Sequence, residues 1–242
     1  MLEKDSGVVL RAVKYGDNAV IVDIFTSLRG TVGFIVRFPK ARRRARLSSV
    51  LFRPLTVLEI DYNFRLSASL QHIADAQPLI VFRSLPYHPH KSAMALFLSE
   101  FLSRALKNET ANAPLFSFLV YSLEWFDAAD AHFADFHIVF LARLTRFLGF
   151  YPNVGGHHNG EFFDMRNACF SPARPQHASF LNPDEAAYVP FFSRVSFDSM
   201  HLIRMNGKQR RRCLAVLIEY YKLHVPDFPD LKSLDVLTDV FS

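Results

Sequence analysis

Residues 19–38 read AVIVDIFTSLRGTVGFIVRF. Beyond the Arg29-Gly30 turn, Val32, Phe34, Val36 and Phe38 alternate with Thr31, Gly33, Ile35 and Arg37, a period of two that turns one apolar row inward. Before the turn, Ala19 to Thr26 is rich in Val, Ile and Phe and reads as a second strand. Working outward, Val8 to Lys14, Leu55 to Tyr62 and Leu66 to Ile73 have the same character. About five short strands in so few residues predict a small closed barrel, for which the five-stranded oligonucleotide-binding fold is the common solution and an SH3-like barrel the alternative.

After Pro86 the period changes. Met94, Phe97, Leu98, Phe101, Leu102 and Ala105 recur at three and four, which predicts an amphipathic helix over 91–107. Asn112 and Pro114 form a cap and first turn for a second helix running to Asp127. A third, Phe133 to Leu148, is apolar nearly all round and belongs at the centre of a bundle, with Gly149 ending it. Residues 150–195 break the pattern with Gly, Asn, Pro and His clusters, and only Glu161 to Met165 and Ala168 to Phe170 are suited to pair as a hairpin. Helical spacing resumes over Phe197 to Met205 and Gln209 to Leu223, and Leu231 to Phe241 adds a last short helix. The expected architecture is therefore α+β: a barrel domain over 1–84, then an α-helical domain over 85–242 with an irregular insertion at about 150–195.

The chain has 242 residues, half of them hydrophobic and 25 of them Phe, enough to bury a real core. Cys169 and Cys213 are its two cysteines, too few and too far apart for a disulfide framework, which points to free thiols in a reducing, cytoplasmic setting. The charged opening Met1-Leu2-Glu3-Lys4-Asp5 suits neither a signal peptide nor an anchor. The most apolar window, Phe136 to Phe150, is interrupted by Arg143 and Arg146 and is too short to span a bilayer, so no membrane partner is expected.

Charge is distributed unevenly. Residues 1–84 hold 13 Lys and Arg against 7 Asp and Glu, whereas residues 85–242 hold 15 against 16, so the whole excess of +5 lies in the first third. Such one-sidedness is the footprint of a polyanion-binding surface; general surface solubility is the plain alternative. Its focus is residues 37–46, RFPKARRRAR, in which Arg37, Lys40, Arg42, Arg43, Arg44 and Arg46 crowd the connection leaving the third strand. Six like charges repel unless an anion sits among them, and the phosphates of a single strand meet that need, since guanidinium bonds phosphate bidentately and also stacks on bases. A localisation signal or an anionic membrane contact are rival readings. Tyr15, Phe34, Phe38 and Phe52 are candidate stacking platforms, although Phe at an inward strand position is ordinarily core.

Catalytic motifs are missing. There is no GxxxxGK[ST], GxGxxG or GxSxG, so no catalytic residue and no cofactor is expected. His157, His158, Glu161, Asp164 and Cys169 crowd together without any CxxC, HxxxH or HExxH spacing. Surface histidines in a Gly-rich loop account for them more plainly than a metal, so no metal ligand is assigned.

The stretches GVVLRAVKYGDNAVIVDIFTSLRG (7–30), the basic connection, LARLTRFLGFYPN (141–153) and RRRCLAVLIEYYKLHVPDFPDLKSLDVL (210–237), taken in order over essentially the full length, resemble the bacterial RecO family of recombination mediators. That resemblance implies an N-terminal oligonucleotide-binding fold, an α-helical C-terminal domain and a role in DNA repair. It also implies single-stranded DNA, RecR and the C-terminal tail of single-strand-binding protein as partners, RecA loading as an indirect outcome, and annealing of complementary strands. Many such proteins carry a four-cysteine zinc site after the long buried helix. Here that region, NVGGHHNGEFFDMRNACF (153–170), retains only Cys169, and packing of Phe162, Phe163 and Phe170 is the expected substitute. Arg143 and Arg146 are the candidates for the cationic rim of the family's partner pocket. Two other classes stay open: an RNA-binding or ribosome-associated module on the same barrel, and a metal hydrolase built on His157, His158 and Asp164.

Overall fold

A computed structural model describes residues 2–38 and 47–240. Five strands, β1 (Glu3–Lys14), β2 (Ala19–Thr26), β3 (Gly30–Arg37), β4 (Val57–Asn63) and β5 (Gln71–Pro78), close a barrel in the order β1-β2-β3-β5-β4. All pairs are antiparallel except β3 with β5, which run parallel through Phe34–Gln71 and Ile35–His72. Five strands in this order with that one parallel closure are the oligonucleotide-binding topology, which decides between the two barrels compatible with the sequence. Along β1, Glu3 to Val8 pair with β4 and Gly7 to Lys14 pair with β2, and the register shifts between Val9 and Arg11. The alternating row predicted in β3 is inward where it matters: Phe34 and Val36 are fully buried with Val22, Ile24, Leu58 and Ile60, and Phe34 meets the edge of Tyr62 at 5.2 Å.

The fifth strand lies at Gln71–Pro78, displaced from the expected Leu66 to Ile73. Leu66 is 94% exposed, and the preceding turn is fastened by the buried Gln71 amide, which accepts from Arg65 N–H and donates to the carbonyls of Arg65 and Ala68. The true strand, QHIADAQP, buries only Gln71, Ile73 and Ala76, so it has little apolar signal.

Packing groups residues 1–128 and 231–241 as one compact unit and 129–230 as another. The strand-to-helix change falls between Pro78 and Pro89, close to the 84/85 division read from the sequence, whereas the compact units divide after the second helix. In the first unit, α1 (Pro89–Ala105) buries Met94, Phe97, Leu98, Phe101 and Leu102. The Ser99 hydroxyl donates to the Leu10 carbonyl at the β1 irregularity, 2.5 Å. Where α1 ends, Thr31 N–H donates to the Glu109 carbonyl at 3.0 Å and its hydroxyl to the Leu106 carbonyl at 2.6 Å. Gly30 makes this approach possible: its φ is +76°, and a Cβ there would fall 2.1 Å from the Glu109 oxygen. α2 (Ala113–Ala128) is capped by Asn112 as expected, its Oδ1 accepting from Leu115 N–H. At the far end the Asp127 carboxylate accepts from the successive amides of Arg83, Ser84 and Leu85. Burial alone would raise its pKa, but those bonds outweigh it and hold the group below its ordinary value. α7 (Ser233–Val240) returns to α1, where Glu100 accepts from Lys232 N–H, Ser233 N–H and the Ser233 hydroxyl, supplying the cap that the helix N-terminus needs.

In the second unit α3 (Phe136–Leu144) has every residue from Phe136 to Leu141 buried, the centre its composition predicts. It is shorter than 133–148 because Thr145 to Leu148 continue only as turns before Gly149 at φ +83°. α6 (Gly207–His224) opens with a reciprocal Asn206/Gln209 capping box and packs on α3, the Tyr221 hydroxyl donating to the Leu141 carbonyl at 2.9 Å. The hairpin forms as β6 (Phe162–Asp164) with β7 (Cys169–Ser171), pairing Phe163 with Phe170, and β8 (Phe180–Leu181) adds on β6's other side. Two short helices, α4 (Pro183–Ala186) and α5 (Tyr188–Arg194), occupy what reads as loop, because neither is long enough to establish a period. Phe197 to Met205 shortens to a 3-10 turn at Met200–Leu202; Ser196 and Ser199 instead bond each other's backbone amides through their hydroxyls. Among the described residues no helix is long and apolar enough to cross a membrane.

Two stability tests follow from this packing. Gly30→Ala must adopt positive φ and push the Glu109–Thr110 backbone away, and is expected to destabilise the first unit by about 2–4 kcal/mol in denaturant unfolding; an unchanged midpoint would refute the close approach. His137, buried on α3, has its pKa lowered to about 3 by burial and by the Arg210 charge, against 6.5 in the unfolded chain. Between those values the unfolded chain takes up a proton that the folded one refuses, so this contribution is complete above pH 6.5 and shrinks as pH falls. His137→Gln should flatten the loss of melting temperature between about pH 6.5 and 5, and an unaltered slope would count against it.

Candidate nucleic-acid interface and partner cavity

Arg37 ends β3, exposed and paired in register with Ala19. Lys40, Arg42, Arg43, Arg44 and Arg46 lie outside the described residues. The stems of their connection are described. Phe38 N–H donates to the Asn18 carbonyl at 2.7 Å, its ring lies 6.3 Å from that of Phe52, and Leu47 and Leu51 pack against the barrel core. Ser48 caps the 3-10 turn Ser49–Phe52 that leads towards β4. The described residues on either side, Phe38 and Leu47, are partly buried against the barrel core.

The barrel's cations divide into two sets. Lys4 is 3.0 Å from Glu59, Arg11 4.0 Å from Asp23, and Arg29 makes a bidentate pair with Glu3 while lying 3.8 Å over the Phe64 ring. Lys14, Arg37, Arg53 and Arg65 have no carboxylate partner among the described residues. Lys14 pairs with Val20, and Val20 with Val36, so Lys14 and Arg37 share one end of the barrel with the 15–18 turn. Of the four candidate stacking residues, Phe34 and Phe52 are buried in the core and Phe38 packs against it. Tyr15, 57% exposed beside Lys14, is the one with a free face.

In the second unit Arg143 and Arg146 are engaged behind α5. Arg143 Nη1 donates to the Val195 carbonyl at 3.1 Å, and Arg146 Nη2 donates to the Ser193 carbonyl at 3.0 Å and to the Tyr151 hydroxyl at 2.6 Å. Both therefore satisfy carbonyls left open at a helix C-terminus. Their neighbours Ala142 and Thr145 line a cavity of about 360 Å³ walled by Ile138, Phe163, Met165, Leu181, Val189 and Leu217. Its mouth carries Arg204, Gln209 and Arg212 together with Asp184 and Glu185. Arg204 and Arg212 were not singled out by sequence; the only signal was the basic turn at 208–212, and Arg210 in that same run goes instead to the buried Asp135, 2.6 Å away. Cys213 also lines the cavity, its thiol pushed up by burial.

Near the hairpin, Asp164 accepts from the amides of Arg166 and Asn167 and from the Asn167 side chain, and lies 3.2 Å from His177. His157 stacks on Phe170 at 4.3 Å, and His158 N–H donates to Glu161. Among the described residues no three His, Cys, Asp or Glu side chains converge as a metal site would require. Aromatic packing of Phe163 with Phe170 and Tyr220 and the hydrogen bonds of Asp164 hold this region.

Barrel topology, Lys14 and Arg37 without carboxylate partners at one barrel end, and the helical region that follows in sequence define an oligonucleotide-binding-fold protein with an accessory helical part. Residues 1–82 match the family model described as Recombination protein O N terminal, and residues 87–235 match Recombination protein O C terminal. The chain is 48% identical over 242 residues to a protein named DNA repair protein RecO from Bacteroides fragilis and 47% identical to one so named from Phocaeicola vulgatus, with both members of each pair covered completely. A Porphyromonas gingivalis protein of the same name is 31% identical over 246 residues. The chain belongs to the RecO family of DNA repair proteins.

The exposed Tyr15 ring beside Lys14 sets up an expectation of base stacking that can be tested directly. Tyr15→Ala should weaken single-stranded DNA binding by about tenfold in a fluorescence titration, while Tyr15→Trp retains it. Equal affinity in all three proteins would remove Tyr15 from the interface.

Proposed function

We propose that the chain is a recombination mediator that binds single-stranded DNA at the barrel end bearing Lys14, Tyr15, Arg37 and the 40–46 cations. The observation that carries this reading is the pairing of charge: Lys4, Arg11 and Arg29 are matched by neighbouring carboxylates, while Lys14 and Arg37 at this end, next to the cations that the sequence carries at 40–46, have no carboxylate partner among the described residues. Phosphates entering there replace mutual repulsion with charge-assisted hydrogen bonds and release counterions. Bases laid on Tyr15 add affinity without selecting sequence. The same neutralisation lowers the repulsion between two complementary strands held together, which is what annealing requires. No step needs a nucleotide, a metal or a catalytic residue.

In this reading the second unit engages the C-terminal tail of single-strand-binding protein. Such a tail, acidic with an aromatic tip, is served by an apolar cavity for the ring and a guanidinium at the mouth for the carboxylates. Arg204 and Arg212 are the cations at that mouth, and Arg143 and Arg146 act on it by holding α5. RecR joins the same complex, and RecA is loaded once the coating protein is displaced. An RNA-binding role is the second reading, since phosphate contacts do not distinguish the sugar; matched DNA and RNA strands in competition separate the two.

Replacing Arg42, Arg43, Arg44 and Arg46 with Ala tests the interface. With about four to six phosphate contacts, log K of the parent protein should fall with log salt at a slope of about −3 to −4, and the quadruple variant's slope should flatten by about 3. Its melting temperature should hold. Unaltered slope and affinity would take the segment out of the DNA site.

A further inference from the structure

At the mouth of the second unit's cavity, two positive and two negative side chains stand together: Arg204 and Arg212, Asp184 and Glu185. They are not equivalent. Glu185 and Arg212 form a two-point pair, Nε to Oε1 at 2.6 Å and Nη2 to Oε2 at 3.1 Å, which uses the full fork of the guanidinium. Arg204 is exposed and has no such partner among the described residues. The bridge joins α6 to α4, a single turn whose N-terminus Asn182 caps by accepting from Glu185 N–H. The backbone at Glu185 is therefore pinned independently of its carboxylate. The carboxylate is about one-third exposed, so it can rotate into water without disturbing the turn.

We infer that Glu185 is an internal competitor for the acidic peptide, occupying the Arg212 guanidinium until a ligand carboxylate displaces it. This rests on the tail-binding reading above. With the bridge closed, the four charges sum to zero and an acidic chain meets no net attraction at the mouth. With Glu185 turned outward, Arg212 and Arg204 present two cations beside an apolar cavity suited to an aromatic tip. Binding is then an exchange of one carboxylate for another at Arg212. Affinity is lowered by the strength of the internal pair, and selectivity rises because a single weak acid cannot open the mouth as a run of acidic residues can.

The alternative is that the bridge simply holds α4 and α6 in place. The two ideas predict opposite signs. A fluorescein-labelled peptide rich in Asp and ending in a free Phe carboxylate is titrated into the full-length protein by polarisation. Glu185→Gln should bind it about threefold to fivefold more tightly than the parent at low salt, the range expected for removing a half-exposed ion pair, with the gain lost at high salt. Glu185→Asp, which keeps the charge, should stay near the parent. Arg212→Gln should bind weakly, and adding Glu185→Gln to it should bring no gain. Glu185→Ala checks the Gln variant should that one melt early. Binding that is unchanged or weaker in both Glu185→Gln and Glu185→Ala overturns the competitor while leaving the tail-binding reading intact. No binding by the parent or any variant overturns both.

Discussion

Closure of the barrel rests on one strand serving two partners. β1 gives its first half to β4 and its second half to β2, and it manages this by shifting register between Val9 and Arg11. Without that irregularity the strand could not turn from one wall into the next, and the sheet would keep two open edges. The same place receives α1, whose Ser99 hydroxyl takes the Leu10 carbonyl. Strand pairing, barrel closure and helix docking therefore meet within about three residues, and the turn that presents Tyr15 and Lys14 is simply where β1 runs out into β2.

Charge is handled differently in the two halves of the chain. On the barrel, carboxylates from neighbouring strands neutralise Lys4, Arg11 and Arg29, whereas Lys14 and Arg37 at one end, and Arg53 and Arg65 elsewhere, have no carboxylate partner among the described residues. In the helical part, Asp135 and Glu185 pair with Arg210 and Arg212, but three other carboxylates serve the backbone: Asp127 gathers three amides of the segment entering α1, Glu100 caps α7, and Asp164 organises a hairpin turn. The last of these lies beside the ring pairs Phe163–Phe170 and His157–Phe170, so hydrogen bonds and aromatic packing together order the hairpin.

Much of this was legible in the sequence. β3 alternates apolar with smaller or polar residues and β2 is dense in Val, Ile and Phe, while α1 and α6 repeat their apolar residues at three and four, which is enough to type each element even though both strands bury consecutive residues at one end. β5 was misplaced since its inward positions include Gln71 and Ala76, an amide used for turn bonding and a methyl too small to stand out. α4 and α5 are not legible because helices of one or two turns are too short to establish a period. The cavity's cations were hidden for a geometric reason. Arg210, Arg211 and Arg212 are identical letters in a row, yet each successive residue turns about 100° around α6, so one meets buried Asp135, one faces water and one reaches Glu185. No linear pattern distinguishes their fates.

The return of α7 to α1 makes the first compact unit discontinuous, with residues 129–230 inserted between its two parts. A ribosome releases α1 and α2 long before it releases Ser233, so the surface of α1 that α7 covers stays open to water while the whole second unit is being made. The second unit can complete its own core once residue 230 has emerged, Phe228 having packed on Tyr221, whereas the barrel unit waits for α7. In the order of synthesis, the portion of the chain that begins first is finished last.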